Sequence, residues 1–285
     1  MAGQRAEKGA KKRGRLIALI LAAALFVFLL TDWYLSNHVL YREDITVSSP
    51  NLPEALDGYK IAHLSDLHQN SWGKNNEKLL SMLREAKPNM IAITGDYIDA
   101  PKDVPWALSL AEELVKIAPV YYVTGNHEWA KGAAKELVIK GDLRKLGVSV
   151  VENSYYSFGE NKEWCIAGIG DPNGPYDQPL ASEVISGLRE KLGDPYIILL
   201  SHRYDRFDEY VELGVDLALS GHAHGGGVRL PFTDGLIGPG MRFFPKRTNG
   251  LYTSGDTAMV VSRGMDGSGF RLFNRCHVLM ITLTR

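Results

Sequence analysis

The 285-residue sequence predicts an α/β fold, a pair of mixed sheets flanked by helices, behind an apolar N-terminal helix. Three observations carry that reading. Residues 1–15 are basic and 16–35 are apolar. From about residue 45 to 285, short apolar runs alternate with amphipathic stretches. The first half of that alternation reads βαβαβ, and the second is richer in strand and turn. Successive βαβ units pair their strands in parallel through right-handed crossovers. No internal repeat or low-complexity linker divides residues 45–285, which therefore read as one domain.

The N-terminal segment comes first. Arg5, Lys8, Lys11, Lys12, Arg13 and Arg15 against Glu7 give residues 1–15 a net charge of +5, which leaves −6 for the rest of a chain whose total is −1. Residues 16–30 carry no polar side-chain atom, and Trp33, Tyr34 and Leu35 extend the run to about twenty residues. That length spans the roughly 30 Å hydrocarbon core of a bilayer, with the aromatic pair at the headgroup level. A secretory signal needs a small-x-small cleavage site beyond the apolar run; the alanines lie inside it, which favours an uncleaved anchor over a secreted product. The basic end then faces the cytoplasm, and the domain lies outside a cell membrane crossed once.

In the domain, strands are expected at 59–64, 90–94, 120–123, 164–169, 196–200, 215–219, 258–262 and 278–283. Helices are expected at 76–86, 104–117, 133–146, 182–192 and 206–213. The composition, 45% hydrophobic and 23% charged, excludes a disordered tail or a polytopic membrane protein. Cys165 and Cys276 are too few for a disulfide framework, although one bridge stays open.

Chemistry concentrates at the strand ends. Asp66 and His68, Asp96 and Asp99, Asn126, His127 and Glu128, then His202, and finally His222 and His224 each follow an expected strand. Ligands of parallel α/β sheets sit beyond the carboxyl ends of the strands, so these loops converge on one crevice. Asp66, His68, Asp96, Asn126, His202, His222 and His224 offer oxygens and imidazoles, the mixture that suits zinc, manganese or iron. Seven ligands exceed the three or four of a mononuclear site and suit two ions, with Asp96, from the middle strand, best placed to bridge. His38, His63 and His277 read as structural. HExxH, GxSxG and P-loop patterns are absent, and the acidic domain has no basic, aromatic-studded run for nucleic acid.

The ordered fragments, ending in Gly221-His222-Ala223-His224-Gly225-Gly226-Gly227 and then Pro231, resemble calcineurin-like metallophosphoesterases, in particular a bacterial membrane-associated phosphodiesterase branch with a GHTHGGQ-like signature. The resemblance covers about residues 57–285. It implies a four-layer α/β/β/α sandwich and a dinuclear centre, with Asp66, His68, Asp96 and His224 on one ion and Asp96, Asn126, His202 and His222 on the other. It leaves His127 off the metals, as a proton donor to the leaving oxygen that Asp66, Asp99 or Glu128 would orient. Ala223, Gly227 and Asn274-Arg275-Cys276-His277 depart from the branch's pattern, so no substrate contact is carried over there. The expected reaction is hydrolysis of a phosphate ester at a membrane, more as a diester or pyrophosphate of envelope components than as protein phosphate. The oligomeric state stays open. A non-catalytic tethered module on the same fold, or a nucleotide phosphohydrolase or nuclease, is the alternative, and the intact ligand set disfavours the first of these.

Two further features bear on substrate. Residues 231–250 mix Leu236, Ile237, Met241, Phe243 and Phe244 with Arg242, Lys246 and Arg247. They lie beside the cleft and meet an anionic lipid, or they form a hairpin whose aromatics pack inward. Asp171 reads as a turn residue or as part of the rim.

Overall fold

Alternate residues of the central strands pack to opposite sides, and this alternation sets the layers. The computed structural model describes residues 2–130, 133–230 and 232–285. The chain opens with α1 (Ala2–His38) and β1 (Tyr41–Ser48), followed by β2 (Lys60–Leu64), α2 (Glu77–Ala86), β3 (Met90–Thr94) and α3 (Val104–Leu114). Next come β4 (Val120–Val123), α4 (Asn126–Trp129), α5 (Ala133–Lys145), β5 (Ser149–Val150), β6 (Ser154–Phe158) and β7 (Trp164–Gly168). Then follow α6 (Ala181–Leu192), β8 (Tyr196–Arg203), α7 (Phe207–Glu212) and β9 (Leu217–Gly221). The chain closes with β10 (Ile237–Gly238), β11 (Arg242–Phe243), β12 (Gly250–Ser254), β13 (Thr257–Val261) and β14 (His277–Thr284).

One six-stranded sheet has the order β1-β14-β2-β3-β4-β5, and the other β12-β13-β9-β8-β7-β6. Strands β2 to β5 run parallel, as do β7, β8, β9 and β13. Ile61, Met90, Ala92, Tyr121 and Val123 point between the sheets, where they meet Ile166, Ile198, Leu200, Leu217 and Leu219. Their neighbours Ala62, Leu64, Ile91, Ile93, Val120 and Tyr122 point the other way, against Leu79 and Leu83 of α2, Leu110 and Leu114 of α3 and Ile139 of α5. Ile185 and Leu188 of α6, with Phe207 and Tyr210 of α7, cover the outer face of the second sheet. The layers are therefore α/β/β/α, the four-layer sandwich expected, with a period-2 apolar pattern on every central strand.

Every strand expected from the sequence is present, with its ends moved by up to three residues. The strands that were not expected lie at edges. β1 carries Arg42, Glu43 and Asp44 and is mostly exposed along its length, so its pattern reads as loop; it pairs in parallel with β14 from Tyr41 onward, ahead of residue 45. β8 continues through His202 to Arg203, past the expected end at Leu200. The two cysteines sit in different layers, Cys165 under α6 and α7 and Cys276 under α2 and α3, and both are free.

α1 is one helix through the basic and apolar segments. Its stretch Gly9–His38 is 30 residues long, apolar enough to cross a membrane, and has none of its most apolar window buried against the domain. Its last turns are seated on the domain. Ser36 and Asn37 are buried, Asn37 Nδ2 donates to the Arg271 carbonyl (2.9 Å), and the Asp32 carboxylate accepts the Phe273 amide (2.5 Å).

Candidate metal centre

The loops beyond β2, β3 and β9 turn back on themselves through unusual backbone. Asp66, His68, Asp96, His222 and His224 all have positive φ, between 46° and 64°. Non-glycine residues rarely hold this conformation, and where they do, the surrounding contacts must impose it. Those contacts are visible. The Asp66 amide donates to Gly95 O (3.1 Å), the His68 amide to Asp96 O (3.0 Å) and the His222 amide to the Asp66 carboxylate (3.0 Å). A Cβ on Gly95 would stand 2.5 Å from the Gly125 nitrogen, and one on Gly125 would collide with the Asp96 carboxylate. Glycine at both positions lets the β3 and β4 loops close on one another.

Glu128 locks the same two loops from beneath. Fully buried, its carboxylate accepts the amides of Asp96 (3.0 Å), Tyr97 (2.6 Å), Ile98 (3.2 Å) and Gly125 (2.7 Å). It therefore does not orient His127. That task falls to Asp99, whose Oδ1 lies 2.6 Å from His68 Nδ1 and 2.8 Å from His127 Nδ1. One carboxylate oxygen sets two imidazoles, and the His127 side chain is 42% exposed.

Among the described residues three clusters could hold a metal: His68, Asp99 and His127 form one, and the candidate ligands other than Asn126 fall in the remaining two. Ligand atoms of Asp66, His68, Asp96 and His224 lie within 4.8 Å of one another, and so do those of Asp96, His202 and His222. Asp96 belongs to both. Asn126 Oδ1 lies 3.1 Å from His202 Nε2, which faces Asp96 Oδ2 at 3.2 Å and His222 Nδ1 at 3.1 Å. All seven residues named from the sequence are thus brought together around Asp96, with Asn126 placed there through His202.

Electrostatics and unmatched atoms test whether metal suits this place. His68 Nε2 is buried with no hydrogen-bond partner and stands 3.8 Å from Asp96 Oδ2, an oxygen that also faces His202 Nε2 at 3.2 Å. Burial opposes charge on His68, yet the Asp99 hydrogen bond and the charges of Asp96 and Asp66 lift its pKa to about 9. Burial likewise opposes charge on His202, and the Asp96 carboxylate still carries it to about 10. Burial works against ionisation of Asp96, but His202 and then His68 hold its carboxyl far below the usual range. The pocket therefore draws positive charge. Burial, then His202 and Arg203, pull His222 down to about 3; burial, then Arg271, lower His224. Both stay neutral, the form in which an imidazole offers a lone pair. An unpartnered ring nitrogen, neutral imidazoles and ionised carboxylates fit divalent metal ions.

Asp171 takes the turn role that the sequence offered, but the contacts around it and around the glycine-rich loop escaped the sequence reading. Asp171 is buried in an Asx turn, its Oδ1 taking the Asn173 amide, and it also clamps Arg203 by two hydrogen bonds of 2.7 and 3.1 Å. Arg203 Nη1 stands 2.7 Å from His222 Nε2, and a 360 Å³ cavity there is lined by Asn126, Asn173, Arg203, Tyr204, His222 and Arg242 among others. Asn274 Nδ2 donates to the carbonyls of His224 (2.7 Å) and Gly227 (2.8 Å), holding the glycine-rich loop. The signal available was weak, since an Arg beside a ligand His and an Asn fifty residues from its loop carry no local pattern.

The remaining histidines serve structure. His63 Nε2 meets Thr94 Oγ1 at 2.8 Å, His277 Nδ1 meets Glu43 at 2.8 Å, and His38 packs on Trp33 and Tyr34. The segment beginning at Pro231, which itself lies outside the described residues, does form a small hairpin, β10 with β11. Its aromatics do not pack inward, however: Phe243 and Phe244 are 67% and 70% exposed, as is the neighbouring Met241 at 69%. Two residues per strand leave no face to bury them against.

The sequence profile of the calcineurin-like phosphoesterases matches residues 59–226, the span from β2 to the glycine-rich loop. The chain belongs to this family, and with it to the metal-dependent phosphoester hydrolases. It is 30% identical over 239 residues to the Bacillus subtilis metallophosphoesterase YkuE, covering 81% of this chain and 80% of that one. A Danio rerio protein described as a transmembrane protein with metallophosphoesterase domain is 28% identical, covering 95% of this chain and 63% of its own length. The Escherichia coli phosphodiesterase YaeI is 28% identical, covering 79% and 82%.

Proposed function

We propose that the chain is a membrane-anchored, dinuclear phosphoesterase that cleaves phosphodiester or pyrophosphate bonds of lipid or cell-envelope substrates. The carrying observation is Asp96 standing in both ligand groups. Asp66, His68, Asp96 and His224 would hold one ion, and Asp96, Asn126, His202 and His222 the other, with manganese, zinc or iron suited to the donors. When bound, two such ions acidify water and withdraw charge from phosphoryl oxygens.

The chain's own groups do the rest. Arg203, fixed by Asp171, and Arg242 face the cavity beside Asn126 and His222, and they bind non-bridging oxygens of the substrate. His127, held through Nδ1 by Asp99, delivers a proton from Nε2 to the leaving oxygen. Asp99 keeps His68 and His127 in register, so proton delivery and ligand geometry share one support.

The apolar helix, the +5 charge of residues 1–15 and the name of the zebrafish relative support anchoring, with residues 1–15 in the cytoplasm, 16–35 in the bilayer and the domain outside. The name of the Escherichia coli relative supports a diester. The test is a screen of the purified chain, loaded with manganese or zinc, against lipid diesters, nucleotide-sugar pyrophosphates and monoesters. Faster turnover on diesters or pyrophosphates is expected; no turnover on any class contradicts the proposal.

A further inference from the structure

The apolar helix and the rim of the metal centre meet at a groove. Phe28, two residues before the apolar run ends at Leu30, sets its ring against that of Phe273, tilted by 34° with centroids 5.9 Å apart. Beside this contact lies a 510 Å³ cavity lined by Phe28, Arg229, Leu230, Phe232, Thr233 and Phe273. That volume is within the range of small-ligand sites. Its walls are mostly apolar, and Phe28, Leu230 and Phe232 remain 56%, 43% and 108% exposed. Arg229 does not set its charge there, because Nη1 donates to the Gly225 carbonyl (3.0 Å) and to Thr248 Oγ1 (2.8 Å). Phe232 and Phe273 both hold positive φ, 66° and 55°, a costly conformation for bulky residues that the surrounding chain maintains.

Two connections say what this groove is placed to hold. One fixes its depth. Asp32, Ser36 and Asn37 tie α1 to residues 271–276, so the domain cannot swing away from the helix. Phe28 lies four residues before Asp32, about 6 Å along the helix axis, which puts the groove at the outer edge of the hydrocarbon layer that α1 would cross. The other connection joins the groove to the centre. Arg229 N donates to Leu272 O, and Asn274, next to Phe273, holds the carbonyls of His224 and Gly227. The wall of the groove is thus continuous with the loop that carries His224.

At that depth the available apolar occupant is an acyl chain. We infer that the groove between Phe28 of α1 and Arg229, Leu230, Phe232, Thr233 and Phe273 seats one acyl chain of a bilayer phospholipid, and so delivers the phosphate of that lipid to the metal centre. The inference deepens the proposed function and rests on its anchored, phosphoester-cleaving reading. Lys246, exposed on the neighbouring segment, favours an anionic lipid surface there, whereas Arg247 is paired with Asp208 at 2.9 Å.

The test uses the full chain in nanodiscs of phosphatidylethanolamine and phosphatidylglycerol doped with a phospholipid that carries a diazirine on one acyl chain. After illumination, labelled peptides are mapped by mass spectrometry. Label is expected on residues 228–233 and 270–273 as well as on α1, which serves as internal reference. Phe232→Glu places a charge in the groove from a fully exposed position and should lower groove labelling relative to α1 by about tenfold or more. Leu230→Glu repeats the test from another wall, and Tyr176→Glu, an exposed aromatic away from the groove, should leave the ratio unchanged. Label confined to α1, or a ratio indifferent to Phe232→Glu and Leu230→Glu, overturns the inference. Because no turnover is read, a chain that fails to hydrolyse any diester yet labels in the groove breaks the phosphoesterase reading alone. A chain unlabelled on α1 breaks the anchoring on which both stand.

Discussion

The strand-end loops and the segment from Arg229 to Asn249 border the same cleft and are built in opposite ways. The loops are short and buried, with each turn held by backbone hydrogen bonds and by Glu128 beneath. The segment is long, with Phe232, Met241, Phe243 and Phe244 facing outward, and its internal order comes from Arg229, Thr248 and Asp234 rather than from an apolar core. The difference teaches where each property of the protein resides. Ligand geometry is set by rigid sheet ends, which tolerate little change. Under the proposed function, substrate choice would lie in exposed side chains, which can vary without disturbing the sheets.

Breaking the rigid region should have the largest effects. Asp96→Asn removes the charge shared by both ligand groups, and turnover should fall by more than the roughly 100-fold expected of residues that merely support ligands, with loss of bound metal by elemental analysis. Turnover within about tenfold of wild type would refute the shared role. His127→Ala should lower turnover by about 10²–10⁴-fold while metal content stays that of wild type. Equal activity would remove His127 from the mechanism. Asp99→Asn should cost about 10–100-fold, divided between metal affinity and turnover because His68 and His127 share its Oδ1. A loss confined to one of the two would show that only one imidazole depends on it.

The smallest effect concerns the sheet edge. Burial would raise Glu43, but the hydrogen bond and charge of His277, with Arg263, hold it at about 2; burial, against Glu43, lowers His277 to about 4. Each group binds fewer protons folded than unfolded, so stability rises with pH through both windows. It is complete above about 6.5, declines towards 4 as His277 charges, and declines further from 4.5 to 2 as Glu43 protonates. Glu43→Gln should lower Tm near neutral pH by about 4–8 °C, and the gap should close between pH 4.5 and 2. A gap independent of pH would deny the charged network a role.

The same contrast explains what the sequence disclosed. The central strands and the seven candidate ligands were legible because apolar runs of period two end in Asp, Asn and His, and a parallel sheet must bring such ends together. β1 was not, since Arg42, Glu43 and Asp44 on an edge strand look like loop. The supports of the site were not legible either. Glu128 as a clamp of backbone amides, Asp99 bridging His68 to His127 and Asp171 bracing Arg203 depend on contacts between loops 30 or so residues apart. For the rim, the residues 231–250 showed their mixture of aromatics and cations, but whether those rings turn in or out depends on how much sheet lies beneath them, and β10 and β11 are only two residues each.

In the proposed centre one carboxylate, that of Asp96, joins two metal positions. Elemental analysis of the purified full chain, reconstituted with manganese or zinc and freed of excess metal, reads it directly. Two ions per chain are expected in the wild type, falling towards one in His202→Ala, which removes a ligand from the second group only. A wild-type chain that binds one ion, or a His202→Ala variant that retains two, would contradict it.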